Sequence, residues 1–333
     1  MTLKVGLLGG GSWGTTVGAV ASRNAPVTLW ARDADCVAGI NDRRENLRYL
    51  AGIMLPAGLK ASTDLAATVR GADVIVMGVP SHSFRSVLEE VAQHIRPWVP
   101  VISLTKGLEL ASGKRMSELI VECLPGHPVG VLTGPNLARE IMSGQAAASV
   151  LSMEDEIILR RLQPLFNSGQ FRVYSNTDLI GCELGGLLKN IIAIAVGMGD
   201  GLGAGDNTRA GLITRGLAEI TRLGVALGGR AETFAGLTGM GDLIATCTSP
   251  LSRNRSVGVE LGKGRKIDEI IASMSMVAEG VKSAPAVIAL AQAHGVEMPI
   301  SRDVFDVIQG RKTARDVFRG LITSTVGAES EAG

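Results

Sequence analysis

The chain has 333 residues, with 33 Lys plus Arg against 32 Asp plus Glu and a formal net charge of +1 at pH 7. That length suffices for two domains and a sizeable core. Balanced charge with only 3% aromatic residues excludes a basic, aromatic-studded nucleic-acid platform.

In chain order, Lys4-Val-Gly-Leu-Leu-Gly-Gly-Gly-Ser-Trp-Gly-Thr15 comes first. It predicts a short apolar strand over Val5–Leu8, a turn Gly9-x-Gly11-x-x-Gly14, and a helix. Gly9 permits the tight turn, Gly11 lets the backbone approach a pyrophosphate, and Gly14 lets the helix pack close to the sheet. The helix N-terminus then offers N–H groups and partial positive charge to the phosphates. Val5 to Ala21 superficially resembles a signal-peptide core, but a glycine cluster interrupts it and one basic residue precedes it, so the strand–turn–helix reading stands.

A second strand, Pro26–Trp30, ends in Ala31-Arg32-Asp33. An acidic residue here normally holds the ribose 2′-hydroxyl of NAD, whereas a planar guanidinium suits a 2′-phosphate. Arg32 comes first and points to NADP; Asp33 keeps NAD open, as does a reading of Arg32 as a solvated loop residue.

Further apolar runs at Val74–Val79, Val99–Leu104 and Val129–Thr133 each lead into a turn and helical spacing. Ala146–Leu151 and Phe171–Tyr174 read as strands flanking a helical Met153–Phe166 segment. After Thr177 strand signals stop, and Leu179–Val196, Thr208–Leu227 and Ala284–His294 carry helical spacing. The expected architecture is an α/β Rossmann-type N-terminal domain with a mostly parallel sheet over 1–178. An all-α C-terminal domain over 179–326 and a flexible tail over 327–333 follow. The most apolar stretch, Leu184–Met198, contains Lys189, so no stable membrane insertion is expected. The four cysteines, Cys36, Cys123, Cys182 and Cys247, lack CxxC or Cys/His ligand spacing. They read as free thiols of a reducing cytosol, with no metal indicated.

A dehydrogenase needs an acid/base group and a substrate anchor. The histidines are His82, His94, His127 and His294; only His82, at a strand's carboxyl end, lies near the cofactor region, where it shapes the site rather than carrying the proton. Lysines are the better candidates. Lys106 in Ser103-Leu-Thr-Lys-Gly107 follows a strand at the ligand edge, and Lys189 is a lone cation in an apolar helix, where lost hydration favours a base. The alternative is a Lys189 that faces solvent. Gly185 and Gly186 beside it would let a backbone or ligand come close. Gly134 and Asn136 follow another strand and can donate to a ligand. Asp242 and Thr246 lie four apart, on one face if helical. Arg253 and Asn254 suit phosphate oxygens, although Ser252–Ser256 taken alone reads as a basic surface loop.

The chain resembles the bacterial NAD(P)-dependent glycerol-3-phosphate dehydrogenases. The resemblance runs through Gly9–Thr15, Val79-Pro-Ser-His82, Thr105-Lys-Gly-Leu-Glu109, Gly134-Pro-Asn136, Glu183–Ala193, Arg215–Glu219, Gly236–Cys247, Ser252-Arg-Asn254 and Val277-Ala-Glu-Gly280. It implies hydride transfer between NAD(P)H and dihydroxyacetone phosphate to give sn-glycerol 3-phosphate for phospholipid synthesis. It also implies a second domain like that of 6-phosphogluconate dehydrogenase, and a cytoplasmic homodimer. By position, Lys189 would be the general acid/base. Lys106, Gly134, Asn136, Asp242, Ser252, Arg253 and Asn254 would line the substrate. Gly9, Gly11, Ser12, Trp13, Gly14, Arg32, Lys106, Ala138, Arg253, Val277 and Glu279 would touch the cofactor. Asn136 stands where the family often has Ser or Thr. Rival readings are a β-hydroxyacid or 6-phosphogluconate type dehydrogenase, which Ser252-Arg-Asn254 and Gly239-Met-Gly-Asp242 fit poorly, and a non-catalytic NADP(H) sensor.

Overall fold

The computed structural model describes residues 2–274 and 278–323, so Val277 and the 327–333 segment lie outside the described residues. Contacts divide the chain into two compact units, Met1–Leu179 and Ile180–Gly333.

The first unit is built on strands β1 (Val5–Leu8), β2 (Val27–Trp30), β3 (Leu59–Ser62), β4 (Val74–Met77), β5 (Val101–Ser103), β6 (Val129–Thr133), β7 (Ala147–Met153) and β8 (Phe171–Asn176). They form one sheet in the order β3-β2-β1-β4-β5-β6-β7-β8. The first six are parallel; β7 runs antiparallel to β6 and parallel to β8. The chain reverses its winding direction between β1 and β4, the place where open parallel sheets bind ligands.

Successive strand residues face opposite sides, so the sheet has two cores. Leu7, Leu29, Val76 and Ile102 pack with the Ser12–Ala21 and Glu156–Phe166 helices on one side. Leu8, Ile75, Met77 and Val101 pack with helices Phe84–Ala92 and Met116–Cys123 on the other. Burial on both faces explains why these strands read as continuous apolar runs. The strand β3 and the short helices Ala34–Ala38 and Leu47–Leu50 are additions to the expected pattern.

The second unit is all-helical among its described residues. Its Leu179–Gly201 helix is long and apolar enough to cross a membrane, but 94% of that apolar window is buried inside the protein. Glycines bring other backbones against this helix. A Cβ on Gly185 would lie 2.6 Å from the Thr238 carbonyl oxygen, so that glycine admits protein backbone rather than a ligand. Gly197 and Gly201 face Gly258 and Gly262 of the Arg253–Gly262 helix, and a Cβ at Gly258 would lie 2.1 Å from Ile194 O. Two helices thus cross with their backbones in contact. Nearby, Glu219 is buried and accepts from the N–H groups of Ile300 and Ser301, closing the start of the Pro299–Ile308 helix.

Candidate active site

In the first unit the glycine turn follows β1. Gly9 has φ +126°, and a Cβ there would lie 2.5 Å from Gly78 O at the end of β4. A Cβ on Gly14 would lie 2.1 Å from Gly9 O, whereas one on Gly11 would meet nothing within 4 Å. Gly9 and Gly14 therefore keep the turn tight, and Gly11 leaves open space beside its backbone. The helix beginning at Ser12 has no side-chain cap and no acidic residue in its first turn. Its first N–H groups and dipole face that space, as a pyrophosphate requires.

The turn is held by a residue that sequence reasoning missed. Asn46 is fully buried; its Nδ2 donates to Gly10 O and Thr15 Oγ1, each at 2.8 Å, and its Oδ1 accepts from Tyr49 N–H at 3.3 Å. No local pattern in Arg43-Arg44-Glu45-Asn46 signals this, because both donor targets lie more than thirty positions away. Asn46→Asp keeps the acceptor and removes both donors. We expect it to raise KM for NADPH and NADH by a similar factor, about tenfold, with kcat little changed; initial-rate kinetics with each cofactor checks this.

After β2, Arg32 is exposed. The Asp33 carboxylate accepts from Asp35 N–H at 3.0 Å and Cys36 N–H at 3.4 Å, capping the Ala34–Ala38 helix, and pairs with Arg48 at 3.4 Å. The acid that kept NAD open is thus turned into its own loop.

At the same sheet edge, Lys106 Nζ donates to Gly134 O at 2.9 Å, so residues from two different strand ends meet. Both polar atoms of the Asn136 amide, Thr133 Oγ1 and the Trp13 indole N–H are buried and without a hydrogen-bond partner. Buried orphans of this kind are rare and costly; they fit a polar ligand. Ala138 opens the short helix directly after this segment. His82 is exposed on a single 3-10 turn after β4.

In the helical unit, Lys189 is 6% exposed and Asp242 2% exposed. Lys189 Nζ pairs with Asp242 Oδ1 at 2.6 Å and donates to Thr246 Oγ1, whose hydroxyl in turn donates to Asp242 O at 2.6 Å. Asp242 and Thr246 share one face of the Asp242–Thr248 helix, at the expected four-residue spacing. The solvent-facing alternative for Lys189 is therefore excluded. The expectation of a lone ammonium among apolar side chains is also corrected: Asp242 is its counter-ion. Neighbouring Cys247 is no rival for proton transfer, because burial pushes its thiol up to about 12 despite the opposing Lys189 charge.

Ser252-Arg-Asn254 is not a surface loop. Ser252 caps the Arg253–Gly262 helix by accepting from Arg255 N–H at 3.3 Å, and Asn254 is 8% exposed. Asn254 Nδ2 donates to Asn190 Oδ1 at 2.9 Å and its Oδ1 accepts from Gly280 N–H at 3.0 Å. One amide hydrogen of Asn254 remains for a ligand. This network joins the residue after Lys189 to the residue after Glu279. The Arg253 side chain keeps solvent access, yet crowding by its surroundings lowers its guanidinium pKa while the Glu279 carboxylate opposes that shift. A cation at a helix N-terminus beside a buried amide suits an anionic group.

The fold and these residue sets define a two-domain, dinucleotide-dependent dehydrogenase. Models of the NAD-dependent glycerol-3-phosphate dehydrogenase N-terminus and C-terminus match residues 4–158 and 178–319. The chain belongs to this family. It is 79% identical over 333 residues, all of both chains, to "Glycerol-3-phosphate dehydrogenase [NAD(P)+] 2" of Sphingopyxis alaskensis. Identity to the Mycobacterium tuberculosis "Glycerol-3-phosphate dehydrogenase [NAD(P)+] 1" is 54%, covering 98% of this chain and 96% of that one. The crystal structure of the Coxiella burnetii glycerol-3-phosphate dehydrogenase superposes with a TM-score of 0.92 at 36% identity, covering 97% of this chain and 99% of that one.

Proposed function

We propose that the chain catalyses reversible hydride transfer between NAD(P)H and dihydroxyacetone phosphate, giving sn-glycerol 3-phosphate for glycerophospholipid synthesis. The observation that carries this reading is the buried Lys189 ammonium, held on Asp242 and Thr246. A fixed ammonium can give a proton to the carbonyl oxygen in reduction and take it back in oxidation. The dinucleotide, when bound, supplies or accepts the hydride. We assign cofactor binding to residues 1–178 and substrate chemistry to 179–326.

In this reading the Ser12 and Trp13 N–H groups and the Gly9–Gly14 turn hold the pyrophosphate. Lys106, fixed on Gly134 O, adds positive charge where the C2 oxygen becomes negative. Arg253, Asn254 and Ser252 anchor the phosphate, so that remote binding energy orients C2. Asn136 lines the substrate, and Ala138, Val277 and Glu279 contact the cofactor.

NADP is the preferred cofactor, because Arg32 is exposed while Asp33 is occupied as a helix cap; NAD use remains compatible with the family. Arg32→Ala is expected to raise KM for NADPH about tenfold or more and KM for NADH little, since a charge-assisted phosphate contact is lost. Equal changes for both cofactors would assign Arg32 a structural role. Dihydroxyacetone phosphate turnover measured with NADPH and NADH in parallel tests the whole reading. Activity on 3-hydroxyisobutyrate alone would move the chain to the β-hydroxyacid enzymes, and cofactor binding without turnover would make it a sensor. We further infer a cytoplasmic homodimer, which sedimentation equilibrium of the full chain checks for assembly.

A further inference from the structure

Lys106 lies between β5 and the Met116–Cys123 helix, in a segment, Leu104–Gly107, with no regular structure of its own. A charge that must meet an oxygen to within a fraction of an ångström needs its backbone fixed. The segment is tied down on both sides. Upstream, Thr105 Oγ1 donates to Val79 O at 2.6 Å. Downstream, the Glu109 carboxylate receives a bidentate pair from Arg85, Nε to Oε1 at 2.6 Å and Nη2 to Oε2 at 2.9 Å. Arg85 itself stands in the first turn of the Phe84–Ala92 helix, just after β4. Its guanidinium also reaches Glu122 at 2.9 and 3.3 Å, and Lys114 Nζ meets Glu122 at 2.7 Å. The Glu109 side chain is only 16% exposed, and its carboxylate also accepts from Ser112 Oγ at 2.5 Å. Two planar groups paired in a fork, with Glu122 of a second helix bracing the guanidinium, fix direction as well as distance.

We propose that Arg85 and Glu109 are a positioning pair for Lys106, locking the Thr105–Glu109 segment to the β4 side of the sheet so that the Lys106 ammonium is held at the reacting oxygen. The proposal rests on the reading of Lys106 given above. Neither residue is a catalytic residue: both act through the backbone between Lys106 and Glu109. The hydrogen bonds from Arg85 hold Glu109 below the usual carboxylate range, so the pair stays charged across neutral pH.

Glu109→Ala in the full-length enzyme is expected to lower kcat for dihydroxyacetone phosphate about tenfold, with KM for NADPH little changed, and Arg85→Lys is expected to retain part of the lost rate. Amide hydrogen exchange over residues 104–109 is expected to quicken in Glu109→Ala while the β1 and β4 amides keep their protection. In a Lys106→Ala background the Glu109→Ala change is expected to cost nothing further, because residues that act as a unit are not additive. Full activity in Glu109→Ala, unchanged exchange over 104–109, or losses that multiply with Lys106→Ala would each overturn the proposal. Lys106→Ala with wild-type kinetics would instead remove the reading of Lys106, and the positioning role with it.

Discussion

Replacing Lys189 by alanine is expected to lower kcat/KM for dihydroxyacetone phosphate by roughly three orders of magnitude or more, while NADPH still binds. General acid–base catalysis contributes about 10²–10⁴ in rate, and the same ammonium stabilises charge developing on the oxygen. The loss must be separated from damage to the fold. Lys189 and Asp242 form a nearly dry ion pair, and deleting one member of such a pair costs about 3–5 kcal/mol. Adding Asp242→Asn to Lys189→Ala removes the stranded charge, so most of the thermal stability is expected to return. Activity is not, because no proton donor is restored. Steady-state kinetics and thermal midpoints of the single and double variants decide the matter. If the double variant regains turnover along with stability, Lys189 is a structural cation and the acid/base assignment falls. Near wild-type activity in the single variant has the same consequence.

What could be read beforehand follows the range of the interactions involved. The glycine turn was legible because strand, turn and helix are contiguous, and Lys106 because it directly follows a buried strand. Lys189 stood out as a single cation in an apolar helix. Its pairing with Asp242 did not, since the two are 53 positions apart; the sequence supplied an acid at the right helical spacing with Thr246 and no means of aiming it at Lys189. Ser252–Ser256 read as a loop because the capped first turn of a helix is polar by nature; the partners that hold Asn254, Asn190 and Gly280, are 64 and 26 positions away. Strand β3 escaped notice because only Leu59 among its four residues is buried. The direction of β7 was equally hidden, as side-chain alternation is the same in parallel and antiparallel strands.

The second large effect is expected at the backbone crossing of the Arg253–Gly262 and Leu179–Gly201 helices. Gly258→Ala puts a Cβ 2.1 Å from Ile194 O, with Gly197 Cα and Met198 N each 2.8 Å away. These are backbone atoms and cannot rotate aside as a flexible side chain would. Relief requires the Arg253–Gly262 and Leu179–Gly201 helices to move apart along a line that also carries Gly197, Gly201 and Gly262. Overpacking of this kind costs about 1–3 kcal/mol where side chains can adjust, and here about 3 kcal/mol or more is expected. At roughly 2–4 °C per kcal/mol for a unit of this size, the thermal midpoint drops by about 6–12 °C. Separation of the helices also stretches the Asn254–Asn190 hydrogen bond and the Arg255–Asp200 ion pair, now 2.9 and 2.7 Å. KM for dihydroxyacetone phosphate therefore rises in whatever fraction stays folded. Gly211→Ala is the matched control: it lies exposed inside the Asp206–Ala226 helix, and its Cβ meets nothing within 4 Å. There the same substitution is expected to stabilise by up to about 1 kcal/mol, the difference in helix propensity. Thermal melts of the two variants should move in opposite directions; equal shifts would mean that the helices do not meet backbone to backbone.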